Sequence, residues 1–111
     1  MTRPNSGKAK FASQLLFNSG GLSGTPASMG TLAEEPVVLF FINDSNVSVI
    51  ITDDPAVNGL TLAAGRAVVL DCRANNGLSQ FFTFSKGTEF FISGSAGTGN
   101  ITISNIYALP V

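Results

Sequence analysis

Residues 36–52 read PVVLFFINDSNVSVIIT, two apolar runs rich in Val, Ile and Phe on either side of Asn43-Asp44-Ser45-Asn46. Short runs of β-branched and aromatic residues, cut by residues that tolerate tight turns, are strand grammar and not helix grammar. The four polar residues between them predict a hairpin. Downstream the pattern repeats at spacings of about ten residues. Strands are expected at 37–42, 47–52, 59–62, 67–73, 79–84, 89–93 and 100–107, with Asn76-Gly77, Lys86-Gly87 and the glycines at 94, 97 and 99 marking turns. No segment sustains a helical period. This pattern predicts an all-β fold, a small jelly-roll-like β-sandwich, with an eighth strand if residues 11–17 pair.

The text before residue 34 is different. Residues 1–33 are rich in Gly, Ser, Pro, Asn and Thr, carry Arg3, Lys8 and Lys10 without an acid, and hold one apolar patch at 11–17. Ordering a backbone costs about 1–2 kcal/mol per residue, and so few apolar groups recover little of it. Residues 1–33 therefore read as an extended N-terminal arm, and residues 34–111 as the sandwich domain. On this reading Phe11, Leu15, Leu16 and Phe17 anchor the arm on a partner surface, while Arg3, Lys8 and Lys10 meet acidic groups there. Removing residues 1–33 is then expected to leave a soluble, β-rich domain.

Composition narrows the function classes. The chain has 111 residues, the length of one domain. Only 12% of them are charged, about half the usual share, and a surface so neutral suits packing against something. A net charge of −1 gives no reason to expect nucleic acid or an anionic membrane as partner. No apolar run approaches the roughly 18 residues of a membrane span, and the N-terminus lacks the apolar stretch of a signal peptide. Cys72 is the only cysteine, so no intrachain disulfide forms, which fits assembly in a reducing cytoplasm. The sequons at Asn43, Asn46 and Asn100 read as chance matches in a polar β protein.

Alternation along strands sorts side chains onto two faces. Val68, Leu70 and Cys72 are expected to point inward, with Cys72 a small buried hydrophobe, and Val69, Asp71 and Arg73 outward, the last two as a surface ion pair. The doublets Phe40-Phe41, Phe81-Phe82 and Phe90-Phe91 each place one ring on either face of a strand. Phe40, Phe82 and Phe90 are assigned to the core, and Phe41, Phe81 and Phe91 to the outside. Outward rings are strong adhesive groups, each contributing roughly 1.5–3 kcal/mol when buried against a partner.

Catalytic chemistry finds no footing: the chain has no His, no nucleophile–base pair and no phosphate-binding loop. No catalytic residue, cofactor or metal site is expected. Asp53-Asp54 before Pro55 is a carboxylate pair in a turn, read as solvated, with calcium as the lesser alternative. A carbohydrate site wants an exposed aromatic platform, and the chain offers no Trp and one tyrosine, Tyr107.

The stretch from Leu60 to Ser104, above all LTLAAGRAVVLDCRANNG (60–77) and FSKGTEFFISGSAGTGNITIS (84–104), resembles the cement, or staple, proteins on the heads of short-tailed bacteriophages. The shared features are strand and turn grammar and not chemical signatures. The resemblance implies a non-catalytic jelly-roll protein of the virion, bound to the outer capsid surface, where it contacts several copies of the major capsid protein and holds neighbouring capsomers together. A homodimer across a capsid symmetry axis is expected. The alternative is a receptor-binding or carbohydrate-binding jelly-roll module of a phage tail appendage.

Overall fold

The computed structural model describes residues 8–72 and 83–109. In chain order the elements are β1 (Lys8–Phe11), β2 (Leu15–Asn18), a 3-10 turn (Ser19–Gly21), β3 (Ala27–Thr31), β4 (Val38–Ser45), β5 (Val49–Thr52), β6 (Leu60–Leu62), β7 (Ala67–Asp71), β8 (Glu89–Gly94) and β9 (Gly99–Leu109). They form two antiparallel sheets. The first runs β1-β9-β4-β7 with β2 also on β9, and the second runs β3-β8-β5-β6. Strands β1 and β2 lie end to end along one edge of β9, where Phe11 sits beside Ile106 and Leu15 beside Ile103. The Ala12 N–H donates to the Asn105 carbonyl at 2.8 Å across the gap, so β1 and β2 act as one interrupted strand. Counted that way, each sheet has four strand positions. From β2 to β9 only β5 and β6 pair as sequence neighbours within a sheet, and every other connection crosses between sheets, the jelly-roll arrangement.

The core lies between the sheets. Leu15, Leu39, Phe41, Ile101 and Ile103 come from the first sheet, Met29, Val49, Ile51, Leu62, Phe90 and Ile92 from the second, and Leu22 and Leu32 from connections. The ring of Phe90 takes edge-to-face contacts from Phe41 at 5.8 Å and Phe84 at 5.0 Å.

Strands expected near 37–42, 59–62, 67–73, 89–93 and 100–107 form within a few residues of those bounds, and the strand expected at 47–52 begins at Val49. The strand expected at 79–84 lies mostly outside the described residues, and Thr83 and Phe84 are irregular. Two expectations are corrected. The segment Asn43-Asp44-Ser45-Asn46 does not close a hairpin, because β4 belongs to the first sheet and β5 to the second. Its first residue explains the arch. Asn43 is buried, and its Nδ2 donates to the carbonyls of Val47 (2.8 Å), Leu62 (3.0 Å) and Ala63 (3.1 Å), while its Oδ1 accepts from the backbone N–H and the hydroxyl of Ser45. One amide thus ties the end of β4 to the arch and to the end of β6.

The second correction concerns residues 1–33. The described part of this stretch is extended, but it is woven into both sheets and is not a separate arm. β1 and β2 supply an edge of the first sheet, β3 supplies an edge of the second, and Leu15, Leu22, Met29 and Leu32 are core residues. Leu15, Leu22 and Met29 stand seven residues apart in a Gly- and Ser-rich text, and each is buried in the core. Pairing to β9 and β8 supplies the rest of the ordering.

Candidate interaction surface

Register places four ranks of side chains on the outer face of the first sheet. Phe11, Ile106, Val38 and Asp71 form one rank, Ser104, Phe40 and Val69 the next, then Leu16, Thr102, Ile42 and Ala67, and finally Asn18, Asn100 and Asp44. Apolar side chains dominate this face, with Ser104 and Thr102 of β9 as the polar groups at its centre. Phe11 is 76% exposed, Leu16 60%, Val69 58% and Ile42 37%, while Val38, Phe40 and Ile106 are half-buried by their neighbours. Its charged groups, Asp71 and Asp44, stand at opposite ends. Gln14 reaches over the face and donates from Nε2 to the Ser104 hydroxyl at 3.0 Å. Isolated exposed hydrophobes are ordinary, but a contiguous apolar patch on a small domain marks a contact surface.

The outer face of the second sheet is of another kind. Ser28, Phe91 and Thr52 are neighbours across its strands, as are Ser93, Ile50 and Thr61. Ser48, Thr61, Ser93 and Ser95 contribute to a shallow groove of about 450 Å³ that contains no aromatic ring. A second hollow, of about 300 Å³, opens between β7 and the β5–β6 pair and is lined almost wholly by apolar groups, among them Phe41, Leu60, Val68, Leu70, Phe84 and Phe90.

The residues expected to meet a partner are distributed as follows. Phe11 and Leu16 lie on the outer face of the first sheet, and Lys8 and Lys10 are exposed on β1, opposite Leu109 and Tyr107. Leu15 is buried in the protein's own core and Phe17 packs against it, so neither is an anchor for a partner; Leu15 faces Ile103 and Phe17 faces Ile101 across the ladder. Phe41 is corrected from outside to inside, and Phe40 from inside to outside, because burial of Asn43 fixes the parity of β4 and carries Leu39 and Phe41 inward with it. Phe90 is inside and Phe91 half-buried on the outer side, as expected, but Phe91 belongs to the second sheet and does not join Phe11 and Leu16. Arg3, Phe81, Phe82 and Arg73 lie outside the described residues. Val69, expected outward, and Phe40, expected inward, complete the patch together with Val38, Ile42 and Ile106, which alternation does not distinguish. In VVLFFI every position is apolar, so alternation within that run gives no parity.

Cys72 is buried, and Val68 and Leu70 face the hollow between the sheets, in keeping with the inward side read from alternation. The exposed turn after β5 holds Asp53 and Asp54. The Thr52 hydroxyl accepts from the Asp54 N–H at 3.0 Å, and the Asp54 carboxylate accepts from the Ala56 N–H at 3.0 Å, so this acid caps its own loop. Among the described residues no group of three or more His, Cys, Asp or Glu is placed to hold a metal ion. Comparison with protein-family profiles, with curated proteins and with solved structures finds no match for the chain.

Proposed function

We propose that this protein is a structural interaction module which docks through the apolar outer face of its first sheet, and that its partner is a protein shell. In its specific form the proposal is a capsid cement protein, bound as a homodimer to the exterior of a bacteriophage head and stapling neighbouring copies of the major capsid protein, without catalytic activity. The observation that carries the reading is the outer face of the first sheet, where Phe11, Ile106 and Val38 adjoin across β1, β9 and β4, Phe40, Ile42 and Val69 extend the apolar surface over β4 and β7, and exposed Leu16 stands on the far side of Thr102. The capsid as partner rests on the resemblance of residues 60–104 to phage cement proteins. Each exposed ring or branched chain buried on docking contributes roughly 1.5–3 kcal/mol, and many copies bound to one shell stabilise it by mass action. The hydroxyl-lined groove on the other sheet is the natural seat for the alternative, a glycan-binding appendage module, but it lacks the aromatic platform such sites use.

The test is binding of the purified protein to heads of a short-tailed phage stripped of their cement protein, run beside a glycan array. Saturable binding to heads, weakened about tenfold or more by Leu16→Ser or Phe11→Ser, is the expected result. Glycan binding with no affinity for heads overturns the capsid reading in favour of the appendage module.

A further inference from the structure

An exposed sheet edge is a template for pairing with another chain, and proteins block their edges with lysines, bulges, breaks or very short strands. Three of the four edges in this sandwich carry such a block. The β1–β2 edge is broken at residues 12–14 and bears Lys8 and Lys10. The β3 edge has a bulge between Ser28 and Gly30. The β6 edge is three residues long. Among the described residues the fourth edge, β7, has none of these. Its five residues AVVLD keep an unbroken register with β4, contain no Lys or Pro, and are exposed along the whole strand.

The hydrogen-bond phase of β7 is fixed at both ends. The Asn43 N–H donates to the Arg66 carbonyl and the Cys72 N–H to the Val37 carbonyl, both at 2.8 Å. Bonding to β4 therefore falls to positions 66, 68, 70 and 72. By the alternation of antiparallel ladders, Ala67 and Val69 turn their N–H and C=O groups away from β4 toward the open edge. Beneath that edge lies the apolar hollow that Val68 and Leu70 share with Phe41 and Phe84.

We infer that β7 pairs antiparallel with β7 of a second copy of this chain, with Val68 on the two-fold axis. A perpendicular two-fold keeps each face of the sheet on its own side, so residues opposite one another must share parity. Centring on Val68 meets this condition: Ala67 of one copy exchanges both backbone bonds with Val69 of the other, and the reverse. Val68 then stands against its own copy over the two apolar hollows, which become continuous. The charges also agree with a second copy. Arg66 falls opposite Leu70, and Asp71 falls opposite Gly65, so no like charges face each other and Asp71 retains its contact within its own chain. The two first sheets merge, and their apolar outer faces become one continuous docking surface.

This inference takes up the two-copy assembly proposed above but rests on the β7 edge, so the two readings fail separately. The experiment is sedimentation of the full chain, with disulfide mapping in a Cys72→Ser background. In a non-hydrogen-bonded antiparallel pair the Cα atoms lie about 4.5 Å apart, within disulfide reach. Val68→Cys is expected to cross-link two chains under mild oxidation. Val69→Cys, whose opposite residue is Ala67, is not. Val69→Lys is expected to raise the dimer dissociation constant about tenfold or more with circular dichroism unchanged, whereas Leu16→Ser on the far edge leaves dimerisation intact. A wild-type chain that sediments as a monomer at high micromolar concentration, or equal cross-linking at both positions, overturns the inference. Head binding by such a monomer would leave the docking reading standing.

Discussion

Phe41 of β4 and Phe90 of β8 meet edge to face across the interior, with ring centroids 5.8 Å apart and planes inclined at 81°. They belong to different sheets, so this contact joins the two layers and does not stabilise either one alone. Both rings are nearly inaccessible to solvent. Phe41→Ala and Phe90→Ala are each expected to lower unfolding free energy by about 3–5 kcal/mol. Phe40→Ser, one residue away on the outer face, should cost far less. Denaturant unfolding of the three variants decides the matter. Equal losses at positions 40 and 41 would show that β4 has no defined inner side.

The strand text after residue 36 was legible because its apolar runs are dense and its turns carry Gly and Asn. What alternation could not settle was parity within VVLFFI, where no polar residue breaks the run. The decisive residue is Asn43, whose polarity suggests a turn and whose five hydrogen bonds require burial. The N-terminal stretch was misread for a related reason. Leu15, Leu22 and Met29 are sparse in sequence yet fill the core, and β2 and β3, which carry Leu15 and Met29 and flank Leu22, gain their order from partners some 60 to 90 residues away along the chain. The outer-face patch was half legible: Phe11 and Leu16 stood out, but only strand order and register put them on one face with Ile42 and Val69.

Replacing Asn43 tests that arch directly. Asn43→Leu keeps the approximate volume and leaves the carbonyls of Val47, Leu62 and Ala63 without their shared donor. The Val47 carbonyl keeps the Ser45 hydroxyl and the Ala63 carbonyl keeps the Arg66 N–H, so the cost is that of the buried Leu62 bond and of the Ser45 groups that lose their acceptor, and a loss of about 1–3 kcal/mol is expected in equilibrium unfolding. Asn43→Asp adds a pH signature. A carboxylate facing three carbonyl oxygens has its folded pKa raised above the unfolded value, so the protonated form is favoured in the native state. The added penalty is then absent below the unfolded pKa, near 3.9, and grows as pH rises toward the folded one. Stability that is flat in pH for this variant would place the side chain in solvent.

Gly99 and Gly65 make a matched pair. Both have positive φ, +112° and +71°, but a Cβ at Gly99 would lie 2.2 Å from the Asp44 carbonyl oxygen and 2.7 Å from Ser45 Cα, whereas at Gly65 it meets open space. Gly65→Ala should cost about 1–2 kcal/mol of backbone strain. Gly99→Ala must also push β9 away from β4 where the two strands begin to pair, and should cost more than about 3 kcal/mol. Thermal melts of the two variants side by side give the comparison, and similar losses would mean that β9 does not approach β4 this closely.

Deletion of residues 1–33 separates an arm from an integral part of the sandwich. An arm can be removed without loss of the domain. Here the deletion strips β1 and β2 from β9 and β3 from β8, exposing two long ladder edges, and it removes Leu15, Leu22, Met29 and Leu32 from the core. At roughly 1.5–3 kcal/mol for each buried side chain, these four account for roughly 6–12 kcal/mol. Small domains are stable by only about 5–15 kcal/mol in total. The truncated chain is therefore expected to be unfolded or aggregated, with no cooperative melt by circular dichroism. Leu22→Ala alone should lower stability by about 2–5 kcal/mol, although its residue lies in a connection and touches no strand ladder of its own. A soluble, cooperatively folding fragment of residues 34–111 would show instead that the first three strands only decorate a core complete without them.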